Sequence, residues 1–391
     1  MMEQSKTLVD EPTGIREGEE LDSSAVEKFL KDAVPDLTGA LSIRQFPSGF
    51  SNLTYFIRAG DREMVLRRPP FGKKAKTAHD MGREYRILSA LYPVFPYCPK
   101  PLAFTEDPAV MGCPFYVMER IPGIIFRKDL PENMAFSPDQ ARKLCENMID
   151  LHLRLHTLDY QAIGLGDFGK PEGYVSRQVE GWSRRFRDAR TPDVPDFEST
   201  MGWLNANQPP DSGFPGIIHN DYKFDNLVLN PKNPLEIIGI LDWEMATIGD
   251  PLMDLGCSLA YWINHDDPEE AQLMRMMPTN ARGMMTRREL VDLYAEKSDR
   301  DIGSFDFYYC FGLFRLAVIA QQIYYRFYHG QTKDKRFGKL GFAVALLDAA
   351  AKRVVSGGGC NLQPKPQRNN PCKTLSIRKK SYRLSHPEPV G

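Results

Sequence analysis

Two patterns of apolar and polar positions divide the chain. Between about 40 and 121 the apolar residues fall in short β-prone runs: LSIRQF (41–46), LTYFIRA (53–59), EMVLRR (63–68), CPKPLAF (98–104) and CPFYVMERI (113–121). Gly60-Asp61 separates the second run from the third and predicts a hairpin. In their midst TAHDMGREYRILSALY (77–92) places Met81, Tyr85, Leu88 and Leu91 on one helical face. This part predicts a mostly antiparallel sheet with one inserted helix. Beyond it the period is helical. Ser137-Pro138 starts a helix whose Ala141, Leu144, Met148, Leu151, Leu155 and Leu158 form a core-facing stripe. Thr286 and Glu289 predict a capping box, and 305–328 and 338–355 predict two closing helices. SAVEKFLKDAV (24–34) predicts a short first helix after an acidic, loose arm over 1–20.

One stretch breaks these patterns. HNDYKFDN (219–226) lies between two apolar runs, FPGII and LVL. A further apolar run, EIIGIL, ends at Asp242, sixteen residues past Asn226. A hairpin there would bring Asn226 and Asp242 together beside Asp221. Hard oxygen groups in such a place suit Mg²⁺, which prefers carboxylates, water and phosphate oxygens. Asp221 is then left to accept a proton from an alcohol. Asp and Asn are also ordinary turn formers. The ordered set, with GDPLMDL following, favours chemistry over turns.

Composition narrows the classes. The 391 residues are 42% hydrophobic and 26% charged, with a formal net charge of −1. Nothing there calls for a nucleic-acid partner or a membrane surface. Residues 356–391 are the exception, with seven Lys/Arg, one Glu and a GGG. They predict a disordered basic tail. Seven cysteines without a C-x-x-C pair predict free thiols in the cytoplasm or another reducing compartment. The polar start MMEQSKTLVDEPTG does not read as a secretory signal. FYYCFGLFRLAVIAQQIYY (307–325) is interrupted by Arg315 and two glutamines, so a buried helix is expected and no membrane span.

H-x-D-x-x-x-x-N with an Asp after the next strand resembles the protein-kinase catalytic loop and its metal-binding Asp. The version here, HNDYKFDN…LDWEMATIGDPLMDL, is similar to the aminoglycoside phosphotransferase and choline kinase group, and most to the kinase-like domain found fused to some acyl-CoA dehydrogenases. SGFSNLTYFI, MVLRRPP, REYRIL and FYVMERIPG carry the likeness further, over about 48–256. The resemblance implies an α+β, two-lobed, protein-kinase-like fold. Its parts would be an arm and helix over 1–37, a nucleotide-binding lobe over 38–118, a helical catalytic lobe over 119–355 and the tail.

It implies an ATP- and Mg²⁺-dependent phosphotransferase acting on a small-molecule hydroxyl. Asp221 would be the base, and Lys223 would lie near the transferred phosphoryl group. Asn226 and Asp242 would hold the metal. Ser48, Gly49, Phe50, Ser51 and Asn52 would cover the phosphates, and Met118, Glu119, Arg120 and Ile121 would hold adenine. Glu84 would pair with the basic residue that anchors the phosphates, and Asp254 would brace the loop. Counting along the strand puts Arg67 where related kinases usually carry Lys; Arg68, Lys73 or Lys74 would be its helpers. A nucleotide-binding scaffold without turnover is the alternative that Arg67 favours; the retained Asp221, Asn226 and Asp242 oppose it.

Three further features have two readings each. His219 is architectural or catalytic. His152 and His156 have a zinc-like spacing but lack the metalloprotease glutamate, which favours packing or hydrogen bonding. Arg177, Arg184, Arg185, Arg187 and Arg190 form either a solvated face or an attractor for an anionic acceptor, such as a hydroxylated acyl compound. The second reading disfavours cationic acceptors of the aminoglycoside and choline type. Oligomeric state is left open.

Overall fold

A computed structural model describes residues 11–357, apart from 47–51, 71–79, 132–133, 211, 301 and 333. The expected basic tail lies outside the described residues, as do Ser48, Gly49, Phe50, Ser51, Lys73 and Lys74. The first lobe comprises α1 (Ser23–Ala33), β1 (Leu41–Gln45), β2 (Leu53–Ala59), β3 (Arg62–Arg68), α2 (Met81–Leu91), β4 (Pro101–Thr105), α3 (Pro108–Met111) and β5 (Phe115–Glu119). Its strands form one antiparallel sheet in the order β1-β2-β3-β5-β4. Gly60 turns β2 into β3 at φ +57, a left-handed value that glycine adopts freely.

Strand alternation decides what this sheet shows to each side. Leu53, Tyr55, Ile57, Met64, Leu66, Phe115 and Val117 form one core with Val26 and Leu30 of α1. Val65, Tyr116 and Met118 point the other way and join Met81 and Leu88 of α2 in the core that continues through the second lobe. Arg67 shares the parity of Val65. Arg68 has the opposite parity and donates from Nε to the Pro69 carbonyl at 3.2 Å. Arg68 therefore leaves the strand on the opposite face from Arg67.

Residues 11–20 correct the expectation of a loose arm. Thr13 and Gln45 exchange backbone hydrogen bonds of 2.8 and 3.1 Å, and Gln45 Nε2 donates to Glu19 at 2.6 Å. Tyr55 donates its hydroxyl proton to the Glu19 carbonyl at 2.7 Å. An open sheet edge offers unpaired N–H and C=O groups. This segment satisfies some of those of β1, which composition alone could not indicate.

The second lobe holds α4 (Pro138–His156), α5 (Tyr174–Asp188), α6 (Glu198–Ala206), β6 (Gly216–Ile218), β7 (Leu227–Asn230), β8 (Asn233–Ile240), β9 (Thr247–Gly249), α7 (Pro251–Ala260), α8 (Glu269–Leu273), α9 (Arg287–Ser298), α10 (Asp306–Tyr328) and α11 (Leu340–Val355). Ser137 and Gln140 cap α4 reciprocally, as Thr286 and Glu289 cap α9. The predicted stripe is buried from Ala141 to Leu155, while Leu158 falls beyond the end of α4. β7 and β8 form a hairpin, and β6 pairs with β9. Helices α7 and α10 cross closely at two glycines. A Cβ on Gly256 would lie 2.2 Å from the Tyr308 oxygen, and one on Gly312 would lie 2.2 Å from the Gly256 oxygen. Among the described residues, no helix is long and apolar enough to cross a membrane.

Candidate active site

The polar loop begins where β6 ends and closes with a short turn, Phe224–Asn226. The β7–β8 hairpin then returns the chain to its start. Leu241 donates its N–H to the Asn226 carbonyl at 2.8 Å, so Asn226 and Asp242 flank one hairpin mouth. Asn226 gives its Nδ2 protons to the Asp221 carbonyl and to Asp221 Oδ2, both at 2.9 Å. That spends the amide nitrogen and leaves Oδ1, the atom a hard cation takes. Asp242 stands at φ +66, a strained left-handed position that Asp tolerates better than most residues. Asp221, Asn226 and Asp242 are therefore brought together.

Lys223 lies 3.0 Å from Asp221 and 3.7 Å from Asp225, and its Nζ sits 4.4 Å from the Tyr261 ring centre. The ring and the two carboxylates hold its ammonium pKa above the usual lysine range despite burial.

The loop's first residues hang from a buried carboxylate. Asp254, on α7, accepts the Asn220 N–H at Oδ1 and the His219 N–H at Oδ2, each at 2.7 Å. Two imidazoles from α4 meet the same Oδ2: His152 Nε2 at 3.0 Å and His156 Nε2 at 3.1 Å. Their spacing of four residues aims both rings at one point. Hydrogen bonding is thus the realised reading of this pair. Burial pushes His152 down to about 4, and Asp254 is held well below the usual carboxylate range by its imidazole partners, which outweigh its burial. His219 is architectural too. Its Nε2 faces the Leu241 carbonyl at 3.0 Å, and its Nδ1 accepts the Asp221 N–H at 3.2 Å. A carbonyl only accepts and an N–H only donates, so the ring is the neutral Nε2–H tautomer. Burial lowers its pKa in the same sense.

The opposite wall comes from the first lobe. Arg67 Nη1 meets Glu84 of α2 at 2.5 Å, and Nη2 meets Asp242 Oδ1 at 2.9 Å and Glu244 at 3.4 Å. One guanidinium thus serves three carboxylates. Burial raises Glu84 although Arg67 pairs with it, whereas Arg67 holds Asp242 low. Asn52 donates to Glu244 Oε2 at 2.7 Å. Helix α2 is held in this pose from its other side. Asp80 caps it, and Arg83 donates to the Phe168 carbonyl at 2.6 Å with its guanidinium 3.7 Å from the Phe168 ring centre.

The segment expected to hold adenine is partly committed. The Glu119 N–H donates to Lys100 at 2.8 Å and the Arg120 N–H to Glu63 at 3.1 Å. Neither amide can reach a base without breaking sheet pairing. Met118 is buried, and the Ile121 side chain packs over Gly239. Of the basic run, Arg187 pairs with Glu198 at 2.7 Å and Arg177 is turned back onto the carbonyls of Lys170 and Glu172. Glu244 and Asp225 were not singled out from sequence. The signal for Glu244 was its place two residues after Asp242.

Residues 42–277 match the family described as the phosphotransferase enzyme family. The mouse acyl-CoA dehydrogenase family member 10 is 34% identical over 339 residues, which cover 85% of this chain and 31% of that protein. The chain therefore spans about a third of that relative's length. A Ralstonia eutropha JMP134 structure, described provisionally as an aminoglycoside phosphotransferase, is 30% identical with a TM-score of 0.73, covering 86% of this chain and 99% of that one. A choline kinase from Cryptosporidium parvum shares the fold at 10% identity and a TM-score of 0.56, over 86% and 97% of the two chains. So does an aminoglycoside phosphotransferase solved with ADP and hygromycin B, at 13% and 0.52, over 86% and 99%.

Proposed function

Because the chain belongs to the phosphotransferase enzyme family, we propose that it transfers the γ-phosphoryl group of ATP, with Mg²⁺, to a hydroxyl of a small molecule. The observation that carries this reading is the convergence of Asp221, Asn226 and Asp242 on one hairpin mouth, facing the Arg67–Glu84 pair.

Asp221 is the group left to take the hydroxyl proton at a carboxylate oxygen. Asn226 orients it through Nδ2, and the Asp254 brace keeps the loop from turning away. Arg67, carrying a fork in place of an ammonium, anchors phosphate oxygens while Glu84 holds it. Lys223 adds positive charge beside the base. The donor set fits the implied metal, because Asn226 Oδ1 and the Asp242 carboxylate are hard oxygen ligands and Glu244 stands beside them. Bound there, Mg²⁺ would neutralise charge on the phosphates. Positioning and charge neutralisation suffice for a loose phosphoryl-transfer transition state.

The acyl-CoA dehydrogenase name of the mouse relative favours a hydroxylated acyl acceptor. The described cysteines, all free thiols, agree with a reducing compartment. Transfer of labelled γ-phosphate across a panel of alcohols tests the reading. The expected result is incorporation that falls roughly 10²- to 10⁴-fold in Asp221→Asn with nucleotide binding retained. Incorporation indifferent to that substitution would remove it.

A further inference from the structure

Asp225 is a carboxylate of the polar loop to which the phosphoryl-transfer reading gives no task. Its Oδ1 is shut off from water and has no hydrogen-bond partner. An acceptor left in that state is costly and calls for an explanation. The Lys223 ammonium stands 3.7 Å away, just beyond hydrogen-bond reach, and is drawn instead to Asp221 Oδ1 at 3.0 Å. The turn that carries both residues is fixed from below. Phe224, between them, is buried, with its ring centre 5.8 Å from that of Phe126 and 5.5 Å from that of Trp262. The Tyr261 ring, with its centre 4.4 Å from Nζ, forms a third side of the seat.

Both oxygens of Asp221 are engaged as it stands. Lys223 pairs with Oδ1, and Asn226 Nδ2 donates to Oδ2 at 2.9 Å. A base must present an oxygen to the hydroxyl it serves, so one of these two donors has to yield. Asn226 is tied twice, because the same Nδ2 also donates to the Asp221 carbonyl at 2.9 Å. Lys223 carries three donors on a flexible stem. A shift of about 0.8 Å brings its ammonium to an ordinary hydrogen-bond length from Asp225 Oδ1. The Tyr261 face stays within cation–π reach throughout so small a move. One short displacement therefore satisfies the orphaned oxygen of Asp225 and uncovers the base.

We propose that Asp225 is a positioning residue for phosphoryl transfer, drawing the Lys223 ammonium off Asp221 so that the base is open when the acceptor hydroxyl arrives. This rests on the phosphotransferase reading. Asp225 touches no reacting atom and acts through Lys223 alone. A carboxylate suits the role because it competes with Asp221 for the ammonium on equal chemical terms. An amide of the same shape accepts a hydrogen bond but lacks the charge that makes such a bond strong. With asparagine at 225, Lys223 stays on the base.

The test is a double-mutant cycle on the full chain with Mg²⁺ and ATP, using an alcohol that the wild type phosphorylates. Asp225→Asn is expected to lower kcat by about 10- to 100-fold with KM for ATP little changed, and Asp225→Glu to recover part of the loss. In a Lys223→Met background the same Asp225→Asn change should cost nothing further, because the group it acts through is gone. Tyr261→Leu should give a smaller loss that also vanishes without Lys223, which keeps the proposal testable should Asp225→Asn not fold. A purely structural role would instead give losses that multiply in the double variant, and that result overturns the proposal. Asp221-dependent transfer untouched by Asp225→Asn would sink this inference and leave the kinase reading standing. The same cycle read by chemical denaturation needs no transfer. Coupling between Lys223 and Asp225 there, in a protein that phosphorylates no alcohol, would remove the kinase reading and leave the seat standing, whereas independent effects would remove the seat.

Discussion

The polar loop is held from two sides, and the two are built differently. Behind it, Asp254 meets two backbone N–H groups and two imidazoles, all of them out of water. In front, three carboxylates crowd one guanidinium, and Asp242 keeps 38% of its side chain exposed. Both carboxylate oxygens of Asp254 are paired without any ligand, and His152 Nδ1 is the one buried atom of the four contacts left without a partner. The front is short of positive charge, which a divalent cation and the phosphates it accompanies would rebalance. A charged group in a dry, finished network acts as architecture, whereas one in an unbalanced, open network is waiting for a partner.

The largest effect should come from breaking the rear. Asp254→Ala strands two N–H groups and two imidazoles, and chemical denaturation should show a loss of about 3–5 kcal/mol. A loss below about 1 kcal/mol would mean that the front shares this work.

Acid attacks the same contact more gently. His152 is held near 4 in the fold against an ordinary value of 6.5, so the unfolded chain binds the extra proton between them. Stability from this group is therefore complete above about 6.5 and drains as pH falls toward 4, on the order of 3 kcal/mol in all. Asp254, held low, keeps its own contribution until pH drops below the ordinary carboxylate range. A denaturation series flat between pH 7 and 4 would refute the assignment of a neutral His152.

How much of this contrast could be read in the sequence follows from distance along the chain. Asp221, Asn226 and Asp242 were legible because one hairpin joins them, and alternation on β3 explains why Arg67, not Arg68, faces them. Glu84 came from family likeness. Glu244 was passed over because its Asn52 partner is 192 residues away, and only the closed cleft shows the contact. Arg315 read as an interruption in an apolar helix; its burial against Trp182 appears only when α5 and α10 are packed. The arm over 11–20 looked loose by composition, since backbone pairing to a sheet edge leaves no side-chain pattern.

A milder probe addresses the front. Arg67→Lys keeps the charge but loses the fork, so it cannot hold Glu84 and Asp242 through two nitrogens at once. Stability should drop by about 1–2 kcal/mol, with a higher KM for Mg·ATP. A larger drop than in Asp254→Ala would invert the comparison. The smallest effect belongs to the exposed Arg187–Glu198 pair. Arg187→Ala should cost under about 1 kcal/mol and leave transfer unchanged, marking what a solvated ion pair contributes beside the two buried ones.

The central claim, that the front is a half-built site completed by metal and nucleotide together, is tested most directly by thermal unfolding of the full chain with ATP, Mg²⁺, or both. The account predicts little change with either alone and, with both at about a hundred times Kd, a stabilisation of about 2.7 kcal/mol. Asp242→Asn should abolish it. No stabilisation by the pair, or the same stabilisation in Asp242→Asn as in the wild type, would contradict it.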